Sequence, residues 1–159
     1  MSVDVIVRAA CEADSEQCEA IDRHARHDLI DQRGGEAWLA EHQPLSRVGD
    51  WWTNSFVAEI DDVIVGFLVG SVDDTSRGRV FRVDRVYVVA EARELGCGDD
   101  LLAGAVARAG EAGCTFLEAV ALPGDRDTKN LYERAGVTAR SITVSKRLSA
   151  PSSSADASR

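Results

Sequence analysis

With 159 residues, 45% of them hydrophobic and 28% charged, the chain is long enough for one substantial core without staples. Its formal net charge of −9 argues against broad binding to nucleic acid or to an anionic membrane, because both need clustered Lys and Arg; it accords with solubility and with a cationic small partner. Cys11, Cys18, Cys97 and Cys114 form no C-x-x-C pair, no secretory apolar segment follows Met1 and no apolar run is long enough for a membrane, so a cytoplasmic protein with reduced thiols is expected.

The segment VDVIVRAA (3–10) reads as a first strand. Asp14 and Gln17 have capping-box spacing, and Cys18, Ile21, Ala25 and Leu29 repeat on one face of the helix that follows, which QRGG (32–35) ends. GEAWLAEH (35–42) is a second, short helix closed before Pro44. SFVAEI (55–60) and VIVGFLVGSV (63–72) flank Asp61 and Asp62 as a hairpin, and RVFRVDRVYVV (79–89) is the fourth strand. A loop with Gly96 and Gly98 opens a helix whose stripe is Leu101, Leu102, Ala105, Val106 and Ala109, and Gly113 stops it. CTFLEAVAL (114–122) is apolar on both faces and predicts a central, covered fifth strand. RDTKNLYERAG (126–136) is a short helix with Asp125 as N-cap, and ARSITVSKRL (139–148) reads as a last strand. The small, polar tail from Ser149 to Arg159 predicts disorder, which leaves 1–148 as a single domain. This order predicts an α/β (α+β) fold: a mixed sheet with helices on both faces, its fourth and fifth strands parallel because a helix joins them.

Unpaired N–H groups and the dipole at a helix start favour an anion, and glycine lets it approach. A dinucleotide loop would need a third glycine where Asp99, Asp100 and Leu101 follow Gly98, and a phosphate-binding Gly-Lys-Ser/Thr is absent. Arg93, Gly96 and Gly98 instead fit R-x-x-G-x-G. Together with NLYERAG (130–136), the stretch VYVVAEARELGCGDDLLAGAVARAG (86–110) resembles the acetyl-CoA loop and the Leu-Tyr-Glu-x-x-Gly segment of the GNAT superfamily of N-acetyltransferases. The resemblance extends over residues 3–148 and is most specific over 83–137. The chain departs from the family at Glu94, at Cys97 between the glycines, at the acidic Asp99 and Asp100, at Asp125 where Asn is usual and at Val137 where an aromatic is usual.

The resemblance implies a mostly antiparallel sheet whose fourth and fifth strands splay apart. Acetyl-CoA would lie on Arg93, Glu94, Leu95, Gly96, Cys97 and Gly98, with Asp125 and Asn130 beside it. Its arm would pair with the end of the fourth strand at Val88 and Val89, where a main-chain N–H meets the thioester oxygen. Tyr132 resembles the acid that protonates the departing thiolate; the alternative is an amphipathic tyrosine with its ring in the core. Asp84 and Glu118 interrupt apolar strands and are the two candidate bases, with a water relay as the alternative. Asp84 lies between Arg82 and Arg85, which favours an ion pair, whereas Glu118 has no charged neighbour in sequence. His24 and His27 stand one turn apart with no completing cluster, so no metal is expected and solvated rings are the simpler reading. His24, Gly34 and Gly35 fall where the family places its acceptor site. Trp51 and Trp52 read as loop anchors or core.

The expected activity is direct transfer of acetyl from acetyl-CoA to a primary amine of a small molecule or a protein, with a homodimer as the expected assembly. A non-catalytic acyl-CoA-binding module on the same fold is the rival reading, and a dinucleotide oxidoreductase a weaker one.

Overall fold

The computed structural model describes residues 2–149. Its strands are β1 (Ile6–Ala9), β2 (Phe56–Ile60), β3 (Val63–Thr75), β4 (Gly78–Val88) and β5 (Phe116–Ala119), and its helices α1 (Ser15–Asp28), α2 (Gly35–Glu41), α3 (Cys97–Glu111) and α4 (Arg126–Arg134). The five-stranded sheet runs β1-β2-β3-β4-β5. All pairs are antiparallel except β4 and β5, which the α3 crossover makes parallel. Asp61 and Asp62 take left-handed φ values of 50° and 63°, the conformation that closes a two-residue hairpin with the sheet's twist.

Period-two alternation in β3 feeds a core on each face of the sheet. Leu68 packs with Phe81, Val83, Leu101, Leu102 and Ala105 under α3, with Leu131 and Tyr132 of α4 joining them. Phe67 and Val69 face the other way, onto Cys18, Leu45, Val57 and Trp51 under α1. No helix among the described residues is long and apolar enough to cross a membrane.

A bulge in β4 sets up the site. Val69 pairs with Arg85 and Gly70 with Val83, so Asp84 is the extra residue. The bulge flips the parity of the strand. Val83 and, beyond it, Val86 and Val88 all serve the α3 core, although an unbroken pleat would put Val83 and Val86 on opposite faces. Arg85 and Tyr87 are thereby turned toward α1.

Three expectations are corrected. Residues 114–122 do not form a central, covered strand: β5 has four residues, lies at the sheet edge, and leaves Phe116 46% and Val120 66% exposed. Residues 139–148 form no strand, and Ile142 and Val144 are 85% and 88% exposed. Alternating β-branched residues make a strand only where a neighbouring backbone pairs with them; here the segment is tied by side chains, Arg140 to Glu118 and Arg147 to Glu36. Val106 is half exposed and falls off the buried stripe of α3. The polar tail, Ser149 excepted, lies outside the described residues.

Candidate active site

Pairing between β4 and β5 runs from Val80 opposite Phe116 to Val83 opposite Ala119 and stops there, while β4 continues to Val88. The strands part at the Asp84 bulge, and a cleft of about 940 Å³ opens between them. Along its wall β4 offers unpaired backbone. The Val89 N–H is turned inward, donating to the Val65 carbonyl at 2.8 Å. The Val88 carbonyl points the other way and accepts from Arg93 Nε at 3.0 Å. In an antiparallel strand one residue's N–H and C=O share a direction, so the Val88 N–H also faces the cleft. Of the two valines implicated by sequence, Val88 presents the free donor and Val89 does not.

At the far end of β4 a 3-10 turn, Ala90–Leu95, delivers the chain to Gly96. Gly96 has φ +81°, which a side chain would strain, and it is the N-cap of α3 with no side-chain cap bond. The first-turn N–H groups of a 15-residue helix are therefore left for a ligand. Arg93, Glu94, Leu95 and Gly98 line the cleft beside them. A Cβ at Gly98 would touch only the Leu131 side chain, at 3.4 Å, so the fold itself does not require glycine there. Asp99 is held by Arg134, with Nε at 3.0 Å from Oδ1, which neutralises one of the two first-turn acids. Cys97 is fully buried in the α3 core, and burial pushes its thiol up, away from the reactive thiolate.

Tyr132 lines the cleft at 6% exposure. Burial first, and the Asp125 charge second, push its phenol up, so at neutral pH it is a protonated donor. Asp125 is taken up as the N-cap of α4, accepting from the Thr128 N–H at 3.0 Å and from the Thr128 hydroxyl at 2.6 Å, while Asn130 is exposed on the cleft wall.

The two carboxylates of the sequence reading separate. Glu118 lies outside the cleft lining among three guanidiniums, those of Arg77, Arg140 and Arg82; the Arg77 hydrogen bond above all holds its carboxyl below the usual range. The β4–β5 register, which seats Glu118 opposite Arg82, is invisible in sequence. Asp84 does line the cleft. Its Oδ2 accepts from Arg85 Nε at 2.7 Å and its Oδ1 lies 3.6 Å from His42 Nε2. Arg85 also bonds Asp22 at 2.9 Å and the Gln43 carbonyl at 2.9 Å, and the buried Asp22 accepts from the Leu45 N–H at 2.9 Å.

His24 is exposed and outside the lining. Gly34 packs near Leu122 and Pro123, and a Cβ at Gly35 would overlap the Leu29 carbonyl, so this pair shapes the turn between α1 and α2 while Leu29 and Gln32 form the wall. Trp51 is buried in the α1-side core, as an anchor. Among the described residues no group of three His, Cys, Asp or Glu side chains converges as a metal site would need.

The model of the acetyltransferase (GNAT) family matches residues 15–137. The chain belongs to that family. No match is found among curated proteins. Among solved structures, the fold is similar to the aminoglycoside N-acetyltransferase AAC(6')-Iy in complex with the bisubstrate analogue CoA-S-monomethyl-acetylneamine, at 18% identity over 91% of this chain and 99% of that one, with a TM-score of 0.65. A ribosomal-protein-alanine N-acetyltransferase from Brucella melitensis biovar Abortus 2308 is 21% identical over 93% of this chain and 100% of its own, TM-score 0.65. A protein of Bacillus halodurans C-125 described as a transcriptional regulator is 25% identical over 91% and 100%, TM-score 0.63.

The protein is thus an acetyltransferase, and its family uses acetyl-CoA. The residues present fit that group. The uncapped α3 start and Arg93 suit phosphates, and the free edge of β4 at Val88 suits an amide-bearing arm. Four residues of the cleft or of the hollow beside it were given no site role in the sequence: Asp22, Trp38, His42 and Arg85, the last named only as a charged neighbour of Asp84. One signal was present. Asp22 stands four residues after Cys18, inside the apolar face of α1, and an acid there needs a buried partner.

Proposed function

We propose that this acetyltransferase moves acetyl from acetyl-CoA directly to a primary amine of a small molecule or a protein, with no acetylated enzyme on the way. One observation carries the reading: the parted β4 and β5 strands bring the loop at Gly98, the phenol of Tyr132 and the carboxylate of Asp84 onto the walls of one cleft. Bound acetyl-CoA would supply the thioester carbonyl as electrophile. The α3 N-terminus and Arg93 bind phosphate, Arg93 exchanging its bond to the Val88 carbonyl for that contact. The Val88 N–H donates to the oxygen that gains negative charge as the carbonyl carbon becomes tetrahedral. Asp84 accepts the proton that the attacking amine must lose, and Tyr132 gives a proton to the departing sulfur. Glu118, locked among arginines, takes no part.

An amine acceptor is supported by the far end of the cleft, where Asp28 and Asp84 can meet a cation beside Gln32 and Trp38. The test is mass spectrometry of an amine panel, from polyamines and aminoglycosides to peptides with free N-termini, incubated with acetyl-CoA. The expected result is gain of one acetyl group on at least one amine. Binding of acetyl-CoA with no product across the panel would replace this reading by that of a sensor.

A further inference from the structure

His42 is placed by two constraints. Its Nδ1 lies 2.8 Å from the Trp38 carbonyl oxygen, and its ring stacks on the Trp38 indole at 4.2 Å and 5°. A carbonyl only accepts, so Nδ1 carries the proton and Nε2 is the lone pair of the neutral ring. That lone pair faces Asp84 Oδ1 at 3.6 Å. The carboxylate cannot turn freely, because its Oδ2 is held by Arg85 Nε at 2.7 Å. Neutral His42 and ionised Asp84 therefore set two acceptors against each other, and one proton between them turns the contact into a bond. The placement also connects two spaces. Asp84 lines both the cleft and a second hollow of about 470 Å³, and His42 lines the second.

We infer that His42 is a relay behind Asp84: it takes the proton that Asp84 receives from the acceptor amine and gives it to water in the second hollow. The inference rests on the amine acetylation proposed above. As the amine nitrogen bonds to the acetyl carbon, an N–H bond breaks and its proton goes to the Asp84 carboxylate. His42 Nε2 then takes a proton from Asp84, which returns to its ionised form, and the imidazolium releases that proton to solvent. The electron pair of the broken C–S bond leaves with sulfur, which Tyr132 protonates; the phenolate regains a proton from solvent in exchange for the one His42 releases, so charge and atoms balance. The 3.6 Å gap closes by a small side-chain rotation or one bridging water, as hydrogen bonds of this kind tighten in the reacting complex. Other charges lie around the Trp38–His42 stack. Arg85 of β4 lies over Trp38 at 5.0 Å, Arg26 of α1 lies over it at 5.9 Å and donates to the His42 carbonyl at 2.6 Å, and Glu41 precedes His42 on the surface. His42 is thus a positioning residue for the transfer, acting through Asp84.

The experiment compares wild type, His42→Gln and His42→Ala in steady-state acetylation of one amine found by the panel, with kcat followed as a function of pH. His42→Gln keeps a donor for the Trp38 carbonyl and cannot carry a proton. Its kcat is expected to fall about 10-fold at neutral pH, the low side of acid–base contributions, with both KM values and Tm unchanged. The ratio of wild-type to variant kcat should grow as pH rises, because the relay works only when Nε2 is free. In His42→Ala, added imidazole should restore kcat in proportion to its concentration. A ratio constant with pH, or no rescue by imidazole, overturns the relay and leaves His42 as a packing residue; should His42→Ala not fold, the Gln variant decides alone. Wild-type protein that binds acetyl-CoA and acetylates no amine overturns the proposed function, and the relay with it.

Discussion

The two ends of the cleft are built on different principles. The loop end is made of backbone. Gly96 turns the chain with φ +81° and α3 starts without a cap, so its capacity for phosphate lies in a few consecutive residues. The end proposed for the acceptor is made of side chains drawn from α1, α2 and β4, and its parts, Asp22, Trp38, Asp84 and Arg85, with His42 behind them, come together only when the sheet forms. A local site tolerates damage without loss of the fold, whereas an assembled one shares its contacts with the core. That contrast orders the tests.

The largest effect belongs to the assembled end. Asp22→Ala removes the buried partner of Arg85 and the acceptor of the Leu45 N–H. We expect a loss of about 3 kcal/mol, at the low end for a broken buried pair because Asp84 and the Gln43 carbonyl still hold Arg85. Urea denaturation reads it directly, and a variant as stable as wild type would erase the contrast between the two ends. Gly98→Asp should leave Tm within a few degrees of wild type, since only Leu131 lies near, yet weaken acetyl-CoA by at least about 100-fold by filling and charging the place of the phosphates. Normal binding in that variant, measured by calorimetry, would move the ligand off this loop.

Tyr132→Phe deletes one hydroxyl and keeps the buried ring. The expected kcat is lower by about 10- to 100-fold, because a thiolate is already a fair leaving group at neutral pH, with acetyl-CoA affinity and Tm nearly unchanged. Full kcat would leave Tyr132 as packing. The smallest effect is expected at Asp99, whose charge Arg134 already balances. Asp99→Asn frees Arg134 and should tighten acetyl-CoA by a few-fold at low salt, fading near physiological ionic strength, where the screening length is about 8 Å. Weaker binding on a low-salt titration would show that Asp99 helps to hold the ligand.

The strand and helix order through α4 was readable because each element carries its own period and its own stop: Asp61 and Asp62 between β2 and β3, Gly113 after α3, Asp125 before α4. The segment 139–148 was misread for the same reason. Its alternation is real, but strand formation needs a neighbour's unpaired edge, and no period in the chain announces one. Glu118 looked like an unpaired acid in its own segment, yet its partners Arg77, Arg82 and Arg140 lie 22 to 41 residues away. His42 and Trp38 were passed over because no motif or spacing in the sequence ties them to a site; His42 meets Asp84 only across the fold, at the bulge in β4.

By itself, the sequence determined the family, the element order as far as α4 and the glycine loop proposed to bind phosphate, because turns, caps and a glycine loop are properties of adjacent residues. Only the tertiary structure decided that β5 is an edge, that Val88 rather than Val89 turns its N–H to the cleft, and that Asp84 rather than Glu118 faces it. Those outcomes depend on register, on one extra residue in a strand and on which charges meet across the sheet. Each is a relation between segments distant in the chain, and local pattern carries no information about it.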